Sequence, residues 1–227
     1  MKLAAIIPAA GQGKRLGSRF PKAFVTILGK PLIVHTLKSL KRSFKFHEMI
    51  VAAPPGYSEK LKQILVSHEL SEVRVTKGGR TRAESVKRAV QIVSKDSDWI
   101  LIHDAARPFV TKEAVCCLIR QAKRTGAAAL GIPVTSTVKR LDAKRRTIIK
   151  TEDRDALVLI QTPQVFKKNH LIRQYEKLGS KALLATDEAA LFENSKIKLA
   201  FVPGDSKNLK ITTPEDIDLF KFYIKRK

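Results

Sequence analysis

Ten residues near the start of the chain, Pro8-Ala9-Ala10-Gly11-Gln12-Gly13-Lys14-Arg15-Leu16-Gly17, combine small side chains with two cations. Small residues let a backbone approach a ligand closely and offer its N–H groups to phosphate oxygens. The glycine spacing fits neither the G-x-G-x-x-G dinucleotide pattern nor a Walker A loop, because the last gap is too long and no G-K-[ST] follows. The glycines alone leave two readings open, a phosphate cradle or a plain strand-to-helix turn. Lys14 and Arg15 in the loop, with Lys22 soon after, favour phosphate.

Three later stretches have the same flavour. Gly78-Gly79-Arg80-Thr81-Arg82 runs into a helical pattern, whose N-terminus suits an anion or a hydrogen-bond acceptor. The alternative is a helix cap with a solvated arginine. Asp104 directly follows an apolar run, where a carboxylate could bind a ribose hydroxyl or Mg²⁺, or simply cap the next turn. His103 reads as a packed core histidine. Thr135-Ser136-Thr137 closes the series. There is no H-E-x-x-H pattern or Cys/His cluster to build a zinc site, and no serine or cysteine in a nucleophile elbow.

These stretches need a frame that brings them to one edge. Apolar β-rich runs alternate with amphipathic helical patterns. Strands are expected at residues 3–7, 50–53, 73–75, 99–102, 127–134 and 199–202. Helices are expected at 31–43, 58–70, 82–93, 111–124, 169–178 and 186–194, with a last one starting after an N-cap at Thr213. Such alternation predicts an α/β fold, a Rossmann-like, mainly parallel sheet with helices on both faces and right-handed crossovers. Ligands bind beyond the carboxyl ends of such strands, and all four unusual loops fall there. The pattern breaks at 137–141 and 147–151, two β-like segments around a polar turn, which read as a protruding hairpin arm. A two-stranded arm needs a surface to lie on, and a second subunit is the obvious one. The organisation expected is one nucleotidyltransferase domain over 1–227 with a dimerisation arm at about 135–157.

The 227 residues include 44 Lys+Arg against 21 Asp+Glu, a formal net charge of +23. That balance attracts polyanions, including phosphorylated small molecules. With only 6% aromatic residues and no helix-turn-helix or ribonucleoprotein motif, specific nucleic-acid binding is not expected. Cys116 and Cys117 are adjacent and cannot form an ordinary disulfide, which points to a reducing compartment. No apolar stretch is long enough to span a bilayer, and the short N-terminal run leads straight into the glycine loop. A cytoplasmic protein without a membrane partner is expected.

Taken together, the motifs resemble those of the 2-C-methyl-D-erythritol 4-phosphate cytidylyltransferases of the non-mevalonate isoprenoid pathway. The matching residues are P-A-A-G-x-G-x-R at 8–15, P-K at 21–22, G-G-x-x-R-x-x-S-V at 78–86 and H-D-A-A-R-P at 103–108. T-x-K at 137–139, D-R at 153–154, Q-T-P-Q at 161–164, T-D-E-A at 186–189 and N-L-K-I-T-x-P-E-D at 208–216 continue the match. The resemblance implies transfer of CMP from CTP to methylerythritol phosphate by an enzyme using Mg²⁺ or another divalent cation. By the same resemblance, Arg15 and Lys22 stabilise the transition state at the α-phosphate. Pro8, Ala9, Ala10, Gly11, Gly13, Gly79 and Ser85 hold CTP, with Ala9, Ala10, Gly79 and Ser85 at the cytosine. Asp104 and Ala105 face the ribose. The cation rides mainly on the CTP phosphates, with Asp104 as a further candidate ligand. Arg107, Thr186 and Lys210 bind the acceptor. In a homodimer, Thr137 and Arg154 of the arm would complete the partner's site.

Three positions depart from the family pattern. Ala23 stands where glutamine is usual, Ser136 where aspartate is usual, and Arg80 where an acidic residue is common. None removes a group assigned to the chemistry. Three rivals remain: a cytidylyltransferase for ribitol 5-phosphate or another polyol phosphate, a basic nucleic-acid-binding protein, and a catalytically dead binding subunit.

Overall fold

In the computed structural model, β1 (Leu3–Pro8) is buried along its whole length. A strand covered on both faces should read as an unbroken apolar run, as this one does. Its alternate side chains divide between two cores: Leu3, Ala5 and Ile7 join one, and Ala4 and Ile6 the other. The structure describes residues 1–11, 13–18 and 20–226. Gln12, Arg19 and Lys227 lie outside the described residues, as does the side chain of Lys14.

After β1 come a small ribbon, β2 (Thr26–Ile27) with β3 (Lys30–Pro31), and then α1 (Leu32–Ser43), β4 (Glu48–Ala53), α2 (Ser58–Ser67) and β5 (Arg74–Lys77). α3 (Arg82–Gln91), β6 (Trp99–Ile102), α4 (Lys112–Thr125) and β7 (Ala127–Pro133) follow. The arm is β8 (Lys139–Leu141) with β9 (Ile148–Thr151). The chain ends with β10 (Val158–Lys167), α5 (Lys168–Leu178), β11 (Leu199–Pro203) and α6 (Pro214–Lys225). Seven strands form the main sheet in the order β11-β7-β10-β6-β1-β4-β5.

The helices cover both faces. α1, α2 and α4 contribute Leu37, Leu61 and Leu118 to one core, and α3 and α5 contribute Val86 and Leu171 to the other. Truncating a fully buried residue such as Ile6 or Leu37 to alanine should cost about 2–5 kcal/mol. A third cluster docks α6: Phe220 packs on Phe109, ring centroids 5.1 Å apart, and on Leu32 and Ile211. The helix starts follow the expected chemistry. Thr111 Oγ1 accepts from the Ala114 amide at 3.2 Å. At the other end of α4, Gly126 adopts φ 94°, and its amide donates to the Ala122 carbonyl at 2.7 Å.

Two sequence expectations fail here. The first is β10, a ten-residue strand that the sequence reading did not anticipate. It is antiparallel to both neighbours, β6 and β7, in an otherwise parallel sheet. Its middle carries Gln161, Thr162, Pro163 and Gln164, which hide the apolar pattern. Pro163 has no N–H to give a ladder, and the register with β7 shifts between Ile160 and Gln164, around that position. The second is the helix expected at 186–194. Only a short 3₁₀ turn forms there, Ala189–Phe192. Gln164 Oε1 accepts from the Ala189 amide, Asp187 Oδ1 accepts from the Ala190 amide, and Gln164 Nε2 donates to Asp187 Oδ2. These side-chain bonds take the place of helical ones.

Candidate active site

The carboxyl ends of β1 and β6 and the loop before α3 open into a cleft of about 410 Å³, closed on another side by the loop that leads into α6. Its floor is the backbone of Pro8 to Gly11. The loop beyond folds back on itself. The Lys22 amide donates to the Gly11 carbonyl at 2.9 Å, and Leu16 bonds to Gly13 at 2.9 Å. Gly13 has φ 70°, and a Cβ there would sit 3.1 Å from the Phe20 carbonyl oxygen and 3.2 Å from the Lys22 nitrogen. Glycine at this point is what lets the turn close and brings Lys22 back beside Arg15 at the cleft.

Lys22 Nζ lies 3.4 Å from Thr212 Oγ1. Burial, aided by the charges of Lys210 and Arg15, lowers its pKa to about 8. The group is therefore a poorly solvated cation beside other cations. An entering polyanion would relieve that strain.

Asp104 faces these cations and is only 7% exposed. Its amide donates to Thr162 Oγ1 at 3.0 Å, which ties it to the unforeseen strand β10. Oδ1 accepts from Arg82 Nε at 3.0 Å, and Oδ2 accepts from Lys210 Nζ at 2.6 Å. Burial alone would raise its pKa, but the Arg82 and Lys210 charges outweigh that and hold the carboxyl well below the usual range. His103, fully buried, bonds the Arg107 carbonyl through Nε2 and Thr162 Oγ1 through Nδ1. Burial takes its pKa down to about 4, so it is a neutral packing group.

The profile of the 2-C-methyl-D-erythritol 4-phosphate cytidylyltransferases matches residues 3–226. The chain belongs to this family. An enzyme of that name from Caldanaerobacter subterraneus is 35% identical over 100% of both chains. One from Mannheimia succiniciproducens is 37% identical over 98% of this chain and 96% of its own. Among solved structures, the Thermus thermophilus cytidylyltransferase superposes with a TM-score of 0.81 at 31% identity, covering 99% of this chain and 100% of its own. The Anaerococcus prevotii 4-diphosphocytidyl-2C-methyl-D-erythritol synthase gives 0.84 at 29% identity, over 99% and 98%.

Of the residues singled out in the sequence, the cytidylyltransferase cleft gathers Pro8, Ala9, Ala10, Gly11, Gly13, Arg15, Lys22, Asp104, Ala105 and Lys210. Gly79 and Ser85 stand just behind it, buried, with the Gly79 amide donating to Ser85 Oγ at 3.0 Å. Arg107 does not line the cleft. Its Nη1 donates to the Asn208 carbonyl at 2.7 Å, and the Ile211 amide donates to Ala106 at 2.9 Å. In this structure Arg107 therefore holds the loop that carries Lys210. Thr186 is exposed and also lies outside the cleft lining. Thr137 and Arg154 sit on and beside the arm, exposed, with Arg154 Nη1 donating to the Thr135 carbonyl at 3.0 Å.

The cleft also has residues to which the sequence reading gave no role. Arg82 is at its wall, anchored by Glu188, and Arg80, Thr212, Ala23 and Ala106 also line it. Arg82 and Glu188 were both visible inside quoted motifs. Nothing in their spacing says that residues so far apart in sequence would pair.

Proposed function

We propose that this cleft transfers the cytidylyl group of CTP to 2-C-methyl-D-erythritol 4-phosphate, the step in isoprenoid precursor synthesis from which the family takes its name. An oxygen of the acceptor's phosphate attacks the α-phosphorus of CTP in line. The bond from that phosphorus to the bridging oxygen of the β-phosphate breaks, and pyrophosphate leaves. The product is 4-diphosphocytidyl-2-C-methyl-D-erythritol. The observation that carries this reading is the convergence of Arg15, Lys22 and Lys210 on a glycine-floored cleft at the carboxyl edge of the sheet.

In this reading Arg15 and Lys22 offset the charge that builds on the α-phosphoryl oxygens. The backbone of Ala9, Ala10 and Gly79, with Ser85 behind, holds the cytosine, and Asp104 with Ala105 faces the ribose. Lys210 takes the acceptor's phosphate, and Arg107 and Thr186 assist from the adjoining loops. No covalent intermediate is required, so catalysis is positioning plus electrostatics. The donor set does not suit a divalent cation held by the protein. Among the described residues Asp104 is the one carboxylate at the cleft, and both its oxygens already serve cations. Among the described residues no three His, Cys, Asp or Glu cluster to hold a metal. A divalent cation would arrive on the triphosphate, and no step here is routed through it.

We read the chain as one nucleotidyltransferase domain that works as a homodimer. The support is the arm and the segment after it. Ile148 is 64% exposed and Ile149 61%, on a hairpin that packs on little of its own chain, and Leu159, at the start of β10 just after the arm, is 55% exposed. Thr137 and Arg154 on that arm would then reach the partner's acceptor site. A cytoplasmic location fits the two free cysteines. No described helix is long and apolar enough to cross a membrane. The test is pyrophosphate release with CTP against a panel of acceptors. Turnover confined to methylerythritol phosphate supports the assignment. Turnover with ribitol 5-phosphate in its place would overturn it.

A further inference from the structure

Behind the cleft, four charged side chains and one phenol form a continuous chain from the surface into the core. Lys210 Nζ bonds Asp104 Oδ2 at 2.6 Å, and Asp104 Oδ1 accepts from Arg82 Nε at 3.0 Å. Arg82 Nη1 donates to both oxygens of Glu188, at 2.9 and 2.8 Å. Tyr175 Oη donates to Glu188 at 3.4 Å. Glu188 is 1% exposed and does not line the cleft, so it can affect a ligand only through Arg82.

A buried carboxylate with no direct use is expensive to keep. Here two carboxylates grip one guanidinium from different sides. Arg82 Nη2 is buried with no hydrogen-bond partner among the described residues, so Glu188 and Asp104 supply all the compensation the group has. Burial pushes the Glu188 carboxyl up, and Arg82 is what opposes it. For Arg82, burial works against the charge, and Glu188 with Asp104 more than restores it. Removing either member would leave the other a buried charge with less compensation.

We infer that Glu188 is a positioning residue for the nucleotide: it pins Arg82, and Arg82 in turn fixes the plane of the Asp104 carboxylate. Rotation of that carboxylate would carry one oxygen away from the ribose and the other away from Lys210. The guanidinium prevents this by occupying Oδ1 from a fixed direction. The same arrangement accounts for an acidic residue in the stretch at 186–189, where side-chain bonds replace the expected helix. The inference rests on the reading of Asp104 as the carboxylate that faces the ribose.

A double-mutant cycle on the full-length enzyme tests it. Glu188→Gln keeps the shape and removes the charge. Its KM for CTP should rise about tenfold, with kcat within about threefold of wild type and the thermal transition still cooperative. In the Asp104→Asn background the same substitution should add nothing, because the carboxylate it orients is gone. A merely structural role would lower the fraction of active enzyme and leave KM alone. An unchanged KM for CTP in Glu188→Gln, or an undiminished effect in the Asp104→Asn background, overturns the inference. If Asp104→Asn by itself leaves KM for CTP at the wild-type value, the ribose reading falls first and takes the inference with it. Should Glu188→Gln fail to fold, Arg82→Lys runs the same cycle, since a lysine lacks the rigid planar fork that holds the two carboxylates in fixed directions. The same tenfold rise in KM, lost again beside Asp104→Asn, supports the inference, and an unchanged KM overturns it.

Discussion

The cleft and the arm are built in opposite ways. In the cleft, the main charged groups are held by other groups of the same chain. Lys22 is near Thr212, Lys210 on Asp104, and Arg82 between Asp104 and Glu188. In the arm, β8 and β9 are exposed at every residue. Its ion pairs, Arg140 and Lys150 with Glu152, join parts of the arm to one another. A ligand meets a preorganised surface in the first case. In the second, the strands lie open along their whole length. Preorganisation is what lets a cleft favour a transition state, because its dipoles and charges need not move. An exposed apolar ribbon gains its stabilisation only when something covers it.

The contrast can be broken most sharply at Lys22. Replacing it by alanine should lower kcat by about 10²–10³-fold, a loss of about 2.7–4 kcal/mol by analogy with an oxyanion donor. The fold should persist, since Gly11 and Gly13 hold the loop through backbone contacts. Pyrophosphate release and a thermal melt would check both halves. Near-normal turnover would remove Lys22 from the chemistry. The arm responds differently. Ile148→Glu with Ile149→Glu puts two charges on the exposed ribbon and should leave the protomer folded. Sedimentation should show a monomer, with turnover down at least about tenfold through the loss of Thr137 and Arg154 in trans. A monomer with full activity would sever the arm from the site.

The sequence showed one of these regions better than the other. The glycine loop and its cations, and the carboxylate after β6, were legible because they belong to the loops that leave β1 and β6, where local spacing and sheet topology coincide. β10 was not, because its place between β6 and β7 is decided by pairing partners far away in the chain. Its Gln161, Thr162 and Gln164 are buried for the bonds they make: Gln161 to Asp205, Thr162 to Asp104, Gln164 to Asp187. Glu188 was illegible for a related reason. An acidic residue beside Asp187 looks like a solvated one until Arg82, at the start of α3, is placed against it. The arm's outline was plain from its two β-like runs. The part proposed for Thr137 and Arg154 rests on a contact between two copies of the chain, which local spacing does not reveal.

The Lys22 environment gives a pH signature that the arm should lack. A lysine is a cation below its pKa, and burial with neighbouring positive charge has brought this one to about 8. In the free enzyme, kcat/KM for CTP should hold steady below pH 8 and fall above it, approaching tenfold per pH unit. Bound triphosphate adds negative charge beside the ammonium, so the corresponding fall in kcat should lie at higher pH. Lys22→Arg, which stays charged, should flatten the alkaline limb even if it lowers the plateau. The same limb persisting in Lys22→Arg would assign it to another group. The arm variant should retain the limb, because the group responsible is not on the arm.

The smallest effect concerns how stiff the arm is before it meets a partner. Asp142 closes its turn: Oδ1 accepts from the Arg146 amide at 2.8 Å, and Oδ2 accepts from Thr147 Oγ1 at 2.9 Å. Arg145 between them takes φ 55°, a left-handed conformation that a non-glycine residue adopts only when its surroundings hold it. Asp142→Ala removes these side-chain bonds and should cost the ordered turn about 1 kcal/mol. That cost would be met on association, because only the docked arm has to be ordered. The dimer dissociation constant should therefore rise about fivefold, while kcat at saturating protein stays at the wild-type value. Dilution series of activity, with and without the substitution, would read the shift directly. If activity fell equally at all protein concentrations, the turn would be acting on the cleft within one chain, and the separation drawn between the two regions would not hold.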